Sequence, residues 1–242
     1  MTYPLIPKNV ADYSERPNLV DYAAVRCGFD WVEARALLDG LPRDRGLNIA
    51  YEAVDRHLQG PRADRVAIRW LGKTGERQDL IYRDLAAATN RFANVLRQLG
   101  LGPGDRVFVL LGRVAELYVA VLGALKAKCV ACPLFSAFGP EPIATRLDIG
   151  EARLLVTSDA LYRRKVEGLR SRLGNLTHVI LVDDGPALRD TMRWKMLMAA
   201  ASDDFEVPAT DPADMALLHF TSGTTGRPKG AIHVHEPSLR TM

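Results

Sequence analysis

The sequence has little of several features that would define a function class. Three cysteines among 242 residues are too few for a disulfide framework, so a reducing cytoplasm is the expected compartment. A net charge of +3 gives no reason to expect nucleic-acid binding and leaves room for an anionic substrate. The longest apolar run, residues 116–135, is interrupted by Lys126 and Lys128, and residues 1–18 lack the pattern of a signal peptide. These absences predict a cytoplasmic globular protein without a membrane segment.

The sequence is rich in alternating strand-like and helix-like segments. From about residue 61, apolar runs such as Arg106–Leu111 alternate with amphipathic runs such as 82–99. This alternation predicts an α/β fold in which helices cover both faces of a mostly parallel sheet. Residues 1–60 are irregular and proline-marked, which predicts a separate lead segment before the sheet. Ligands of such folds bind at the carboxyl ends of the strands.

Two stretches resemble functional motifs but have simpler interpretations. Gly72, Lys73 and Thr74 match the end of a Walker A motif, but the required earlier glycine is Ala67 and a turn follows, so a β-hairpin is favoured. Cys129 and Cys132 form a CxxC without a second pair for zinc. They lie in an apolar strand, where their side chains point to opposite faces, so we expect buried packing cysteines.

One short stretch, HFTSGTTGRPKG at 219–230, combines hydroxyls, glycines and a lysine at the end of a predicted strand. Glycines allow the backbone to turn its N–H groups toward an anion, and Lys229 adds a positive charge suited to polyphosphate. The hydroxyls belong to Thr221, Ser222, Thr224 and Thr225, and the glycines are Gly223, Gly226 and Gly230. The residue types favour a phosphate clamp and leave a solvated linker as the alternative.

The order of these residues carries more information than their types. TSGTTGRPKG resembles the phosphate-loop signature of the adenylate-forming enzymes, which include acyl-CoA synthetases, luciferases and peptide-synthetase adenylation domains. LNIAYEAVDRH and CPLFSAFGPEPIATRL are similar to AMP-forming acetyl-CoA synthetases, and the resemblance extends from about Leu47 onward. It implies a lead segment at 1–60 and the beginning of an AMP-binding domain at 61–242.

The resemblance also implies a reaction. A carboxylate, most simply acetate, attacks the α-phosphate of Mg-ATP to give acyl-AMP and pyrophosphate, and the thiol of CoA then displaces AMP. The loop would surround the β- and γ-phosphates while Lys229 acts catalytically by neutralising their charge. The loop residues so implied are Thr221, Ser222, Gly223, Thr224, Thr225 and Gly226.

Two further groups of residues, the histidines after the loop and a pair of arginines, each have two interpretations. The resemblance places His235 near the nucleotide, and a metal-binding pair of His233 and His235 is the alternative, with no third ligand in view. Arg163 and Arg164 lie in a region that contacts CoA phosphates in acetyl-CoA synthetases; a solvated helix face is the alternative.

Other parts of the family's signature do not occur in these 242 residues. These include the magnesium-binding glutamate segment, the ribose-binding aspartate and the small C-terminal domain. The sequence therefore predicts that the chain has no synthetase activity alone and exposes sheet edges. A gene fragment or interrupted reading frame is the simplest cause, and a complementing polypeptide is the alternative. The alternatives are another short-chain or aryl acid–CoA ligase, and a non-catalytic nucleotide-binding module.

Overall fold

A computed structural model of the chain describes Ser14 and residues 19–186, 188–221 and 228–236. The chain divides into two compact units, Met1–Asp39 and Gly40–Met242. This division concerns compactness alone, so the predicted boundary after residue 60 stays a prediction. No helix within the described ranges is both long and apolar enough to cross a bilayer.

The described part of the first unit contains two short helices, α1 (Tyr22–Gly28) and α2 (Trp31–Arg35). Each begins after an aspartate, Asp21 or Asp30, whose carboxylate accepts hydrogen bonds from the first backbone N–H groups. Neither helix has a buried residue.

The second unit begins with helix α3 (Ile49–Ala53), a 3-10 turn at Asp55–His57 and a separate two-stranded sheet. Strands β1 (Val66–Leu71) and β2 (Arg77–Ile81) pair antiparallel, and the N–H of Gly72 donates to the carbonyl of Glu76 at 2.7 Å. The Walker-like residues Gly72–Thr74 therefore lie in a hairpin, which confirms that interpretation. Helix α4 (Tyr82–Gln98) follows and ends before Gly100, whose φ is +76°.

The remaining elements form a seven-stranded sheet with helices on both faces. In chain order they are β3 (Arg106–Leu110), α5 (Ala115–Lys126), β4 (Val130–Pro133), α6 (Pro140–Ile149), β5 (Ala152–Thr157), α7 (Asp159–Lys165), β6 (His178–Leu181), β7 (Met192–Arg193), α8 (Trp194–Ala200), β8 (Met215–Thr221) and β9 (Lys229–Val234). The strand order is β7-β6-β5-β3-β4-β8-β9, and every neighbouring pair is parallel except β8 and β9. The predicted α/β fold with a mostly parallel sheet is confirmed.

Alternate residues of the central strands enter two cores on opposite faces of this sheet. Val107 and Val109 of β3 join one core, and Phe108 and Leu110 join the other. Cys129 and Cys132 are divided in the same way, and burial raises the pKa of each thiol to about 12. A thiol so protonated is a poor nucleophile and a poor metal ligand, which confirms the packing interpretation.

Candidate functional site

The hairpin formed by β8 and β9 brings the two ends of the predicted phosphate loop together. Thr221 is the last residue of β8, Lys229 is the first of β9, and the two are paired across the antiparallel ladder. The hydroxyl of Thr221 donates to the carbonyl oxygen of Lys229 at 3.5 Å, and both residues are exposed. The loop residues Ser222, Gly223, Thr224, Thr225 and Gly226 lie outside the described residues. Thr221, where the loop begins, lies at the carboxyl end of β8, and this is the ligand-binding edge of a parallel sheet.

A pocket of about 340 Å³ lies beside the hairpin at the same edge of the sheet. Its wall includes His219 and Phe220, directly before Thr221, and residues that follow β4. The lining residues are Pro133, Leu134, Phe135, Phe138, Arg146, His219 and Phe220. The pocket is therefore mainly aromatic and apolar, with one cation in its wall.

Arg146 is that cation, and the sequence interpretation did not select it. It lies in α6, is 7% exposed, and its guanidinium carbon is 4.2 Å from the centre of the Phe138 ring. One guanidinium nitrogen, Nη1, donates to the carbonyl of Pro142 at 2.8 Å, whereas the buried Nε has no partner among the described residues. A signal was present, because Arg146 falls between Ile143 and Leu147 on the apolar face of a predicted helix.

The three basic residues of α7 differ in whether they contact the pocket; they are Arg163, Arg164 and Lys165. Arg163 and Arg164 are exposed, and Arg164 Nε donates to the carbonyl of Ala160 within its own helix. Lys165 reaches the wall of the pocket instead, since its Nζ donates to the carbonyls of Ser136 and Phe138, each at 2.5 Å. Contact of the two arginines with CoA phosphates stays a prediction.

The two histidines that follow the loop lie in different surroundings. His233 is exposed, and its ring centre is 5.3 Å from that of His219 on β8. His235 is past the end of β9, is 2% exposed, and its Nδ1 accepts a hydrogen bond from the N–H of Ile49 at 3.1 Å. Because His233 is exposed and His235 is buried, the two side chains do not share an exposed face, and the alternative of a metal-binding pair gains no support. The described part of the chain contains no group of three or more His, Cys, Asp or Glu that could hold a metal ion.

His235 is distant from Lys229, which follows the predicted phosphate loop. Six positions along the chain separate the two residues, which is roughly 20 Å in an extended strand. Burial lowers the pKa of its imidazole to about 4; the carboxylate of Asp214 opposes this shift and Lys128 adds to it. His235 is therefore neutral at physiological pH and is bonded to the start of α3.

This buried imidazole predicts acid sensitivity of the folded state. An unfolded histidine titrates near pH 6.5, so between pH 6.5 and 4 the unfolded chain binds a proton that His235 in the folded chain does not. The stabilisation is complete above pH 6.5 and is lost as the pH falls toward 4, by about 3 kcal/mol in total for a shift of this size. Urea unfolding at pH 7.5 and 4.5 would measure it. Replacement with the non-titrating asparagine, His235→Asn, should reduce the difference between the two pH values; an unchanged difference would contradict the assignment.

The chain is similar to a known family of enzymes. Residues 54–242 match the family model described as AMP-binding enzyme. The chain is 35% identical to the acetyl-coenzyme A synthetase of Bacillus subtilis over 92% of its own length, and 34% identical to the 3-hydroxypropionyl-coenzyme A synthetase of Metallosphaera sedula over 77%. It spans 38% and 30%, respectively, of the lengths of these relatives.

A solved structure of an acyl-CoA synthetase from Brucella canis is similar over 88% of this chain and 38% of its own. Its TM-score is 0.77 and its sequence identity is 32%. An anthranilate CoA ligase, AuaEII, matches with a TM-score of 0.70 over 78% of this chain and 35% of its own; at 23% identity it supports the fold alone. The family match, the acyl-CoA synthetase relatives and the loop-bearing edge of the sheet agree, and the chain belongs to the family of AMP-binding enzymes.

Proposed function

We propose that this chain contributes the phosphate-binding part of an AMP-forming acyl-CoA synthetase acting on acetate or another short carboxylate. The observation that carries the proposal is the pairing of Thr221 with Lys229 at the ligand edge of the sheet. Between them lies the sequence that resembles the phosphate loop of adenylate-forming enzymes. Acetate is the first choice because the Bacillus subtilis relative is an acetyl-coenzyme A synthetase. The 3-hydroxypropionyl-coenzyme A synthetase relative favours another short acid as the second candidate.

In the proposed reaction a carboxylate oxygen attacks the α-phosphorus of ATP, and the bond to the bridging oxygen of pyrophosphate breaks. Acyl-AMP and pyrophosphate result, and the CoA thiol then displaces AMP. Negative charge accumulates on the departing pyrophosphate, so a fixed cation near it lowers the barrier. Lys229 is exposed at the start of β9, where its ammonium group is free to approach the β- and γ-phosphates. The hydroxyl of Thr221 lies across the ladder from it.

Magnesium would accompany ATP in this reaction. We assign no magnesium ligand within the described residues, which contain no metal-holding group of acidic side chains. Arg163 and Arg164 remain our proposed contacts for CoA phosphates. His235 has no proposed contact with the nucleotide, because its ring nitrogen is bonded to Ile49.

Removal of the lysine charge tests the loop assignment. We expect the chain to bind pyrophosphate and Mg-ATP, and Lys229→Ala to weaken binding about 10- to 100-fold, since a charge-assisted hydrogen bond contributes about 1.5–3 kcal/mol. Isothermal titration calorimetry would measure both affinities. The control is Lys195→Ala, which removes an exposed lysine paired with Asp184 on another part of the molecule. Equal affinity in wild type and Lys229→Ala would refute the role of Lys229.

The activity itself calls for a second experiment. We expect no acetate-dependent AMP formation from the 242-residue chain. A chimera that replaces the matching part of the Bacillus subtilis acetyl-coenzyme A synthetase with this chain should form AMP with acetate, ATP and CoA. A folded chimera that works only with another carboxylate would move the proposal to that acid, and one inactive with all short acids would refute it.

A further inference from the structure

The second strand of the hairpin, β9, has few attachments to the rest of the second unit. Strand β9 lies at the edge of the sheet, and β8 is its only neighbour among the described strands. Strand β8, by contrast, pairs with β4 and is held by the buried side chains of Ala216 and Leu218. Of the described residues after the loop, 228–236, only His235 is buried. The hairpin therefore depends on that residue for a buried side-chain attachment beyond the loop.

His235 completes the cap of helix α3. The side-chain oxygen of Asn48 accepts from the N–H groups of Ala50 and Tyr51, which leaves the N–H of Ile49 to be satisfied. His235 Nδ1 accepts from that N–H at 3.1 Å, and the backbone N–H of His235 donates to the carbonyl of Asp214 at 3.1 Å. An unpaired N–H at a buried helix start is costly, so both the helix and the strand gain from this bond.

We propose that His235 is a positioning residue for the phosphate loop: by capping α3 it fixes the far end of β9 and so keeps Lys229 in register opposite Thr221. The proposal rests on the proposed function of the loop. His235 acts through the strand, because six positions of extended chain, roughly 20 Å, separate it from Lys229. The antiparallel ladder between β8 and β9 transmits the constraint, since a slip of one residue would turn Lys229 to the other face of the sheet.

The cap requires a neutral imidazole with its proton on Nε2. Protonation of Nδ1 would place an N–H against the N–H of Ile49 and remove the acceptor. The charges around His235 do not favour the cation strongly, because Asp214 is paired with Lys128 at 2.9 Å. Helix α3 adds one charged residue, Glu52, whose carboxylate bonds Arg56 and the N–H of Gly40. The Nε2 atom of His235 is buried without a partner among the described residues.

Affinity for inorganic pyrophosphate, measured by calorimetry at pH 7.5, tests the proposal in the whole chain. In His235→Asn the amide oxygen can accept from the N–H of Ile49, whereas His235→Phe fills the space without an acceptor. We expect His235→Asn to bind within threefold of wild type and His235→Phe to bind at least fivefold more weakly than His235→Asn. All three proteins are compared at one pH, so the protonation of pyrophosphate is the same for each. A purely packing role for His235 predicts that His235→Phe binds at least as well as His235→Asn, which would overturn the proposal.

Hydrogen exchange separates a failure of this proposal from a failure of the proposed function. If wild type does not bind pyrophosphate at pH 7.5, the loop assignment fails. The role of His235 in anchoring β9 is then tested by hydrogen exchange alone. At pH 7.5 the amides of Ile49 and of residues 229–234 should exchange at least tenfold faster in His235→Phe than in His235→Asn. If His235→Phe does not fold, His235→Leu takes its place in the comparison. Equal protection would overturn the anchoring role.

Discussion

Lys126→Ala should destabilise the second unit by about 3–5 kcal/mol, the usual cost of leaving one charge of a buried pair without its partner. Lys126 is fully buried at the end of α5, and its Nζ lies 2.7 Å from Asp55 Oδ1 and 2.7 Å from Asn90 Oδ1. Burial lowers the pKa of the lysine and raises that of Asp55, while their mutual attraction opposes both shifts. Removing the ammonium group deprives the Asp55 carboxylate and the Asn90 amide oxygen of this donor.

Urea unfolding at pH 7.5 measures this loss of stability, and two further variants serve as controls. Lys195→Ala breaks an exposed pair with Asp184 and should change the free energy of unfolding by no more than about 1 kcal/mol. The double variant Lys126→Met with Asp55→Asn removes both charges and should recover much of the loss. A loss under 1 kcal/mol for Lys126→Ala would show that the cavity admits water and that the pair is not effectively buried.

Gly46→Ala should cost about 2–5 kcal/mol, combining backbone strain with overpacking. A Cβ at Gly46 would lie 1.8 Å from the carbonyl oxygen of Thr210, and the φ of Gly46 is +97°. The same carbonyl accepts from the N–H of Leu47, so the backbone cannot move aside without losing that hydrogen bond.

Gly75 provides a matched control for this substitution. Its φ is +99°, but a Cβ there meets nothing within 4 Å, so Gly75→Ala carries the strain without the clash. We expect Gly75→Ala to lose about 1–2 kcal/mol, and the difference between the two variants in urea unfolding gives the cost of the close approach. Equal losses of stability in the two variants would mean that the backbone around Thr210 moves away from the added Cβ at no cost.

The sequence predicted the elements of the sheet well because their signals are local. Arg106–Leu110 is a continuous apolar strand covered on both faces, and α4 has its buried residues at helical spacing. Short or interrupted elements were harder to predict. Strand β7 has two residues, and helix α7 ends at Lys165, after which Glu167–Arg172 form a 3-10 turn.

Contacts between distant parts of the chain could not be predicted from local patterns. Lys126 reads as an interruption of an apolar run, and its burial depends on Asp55, which is distant in sequence. His235 reads as part of a strand, and its surroundings depend on Ile49, the first residue of α3. The phosphate loop could be predicted because its chemistry is contained in consecutive residues.

The single pairing between β4 and β8 has a consequence for the order of folding. Ala131 and Leu217 are about 86 positions apart in sequence, whereas the paired residues of β3 and β5 are separated by about 46. Closing the longer connection costs more chain entropy and forms fewer residue pairs, so this step should come late. The β8–β9 hairpin is local and able to form within microseconds once β8 is in place. The phosphate-binding edge would thus be the last part of the sheet to form.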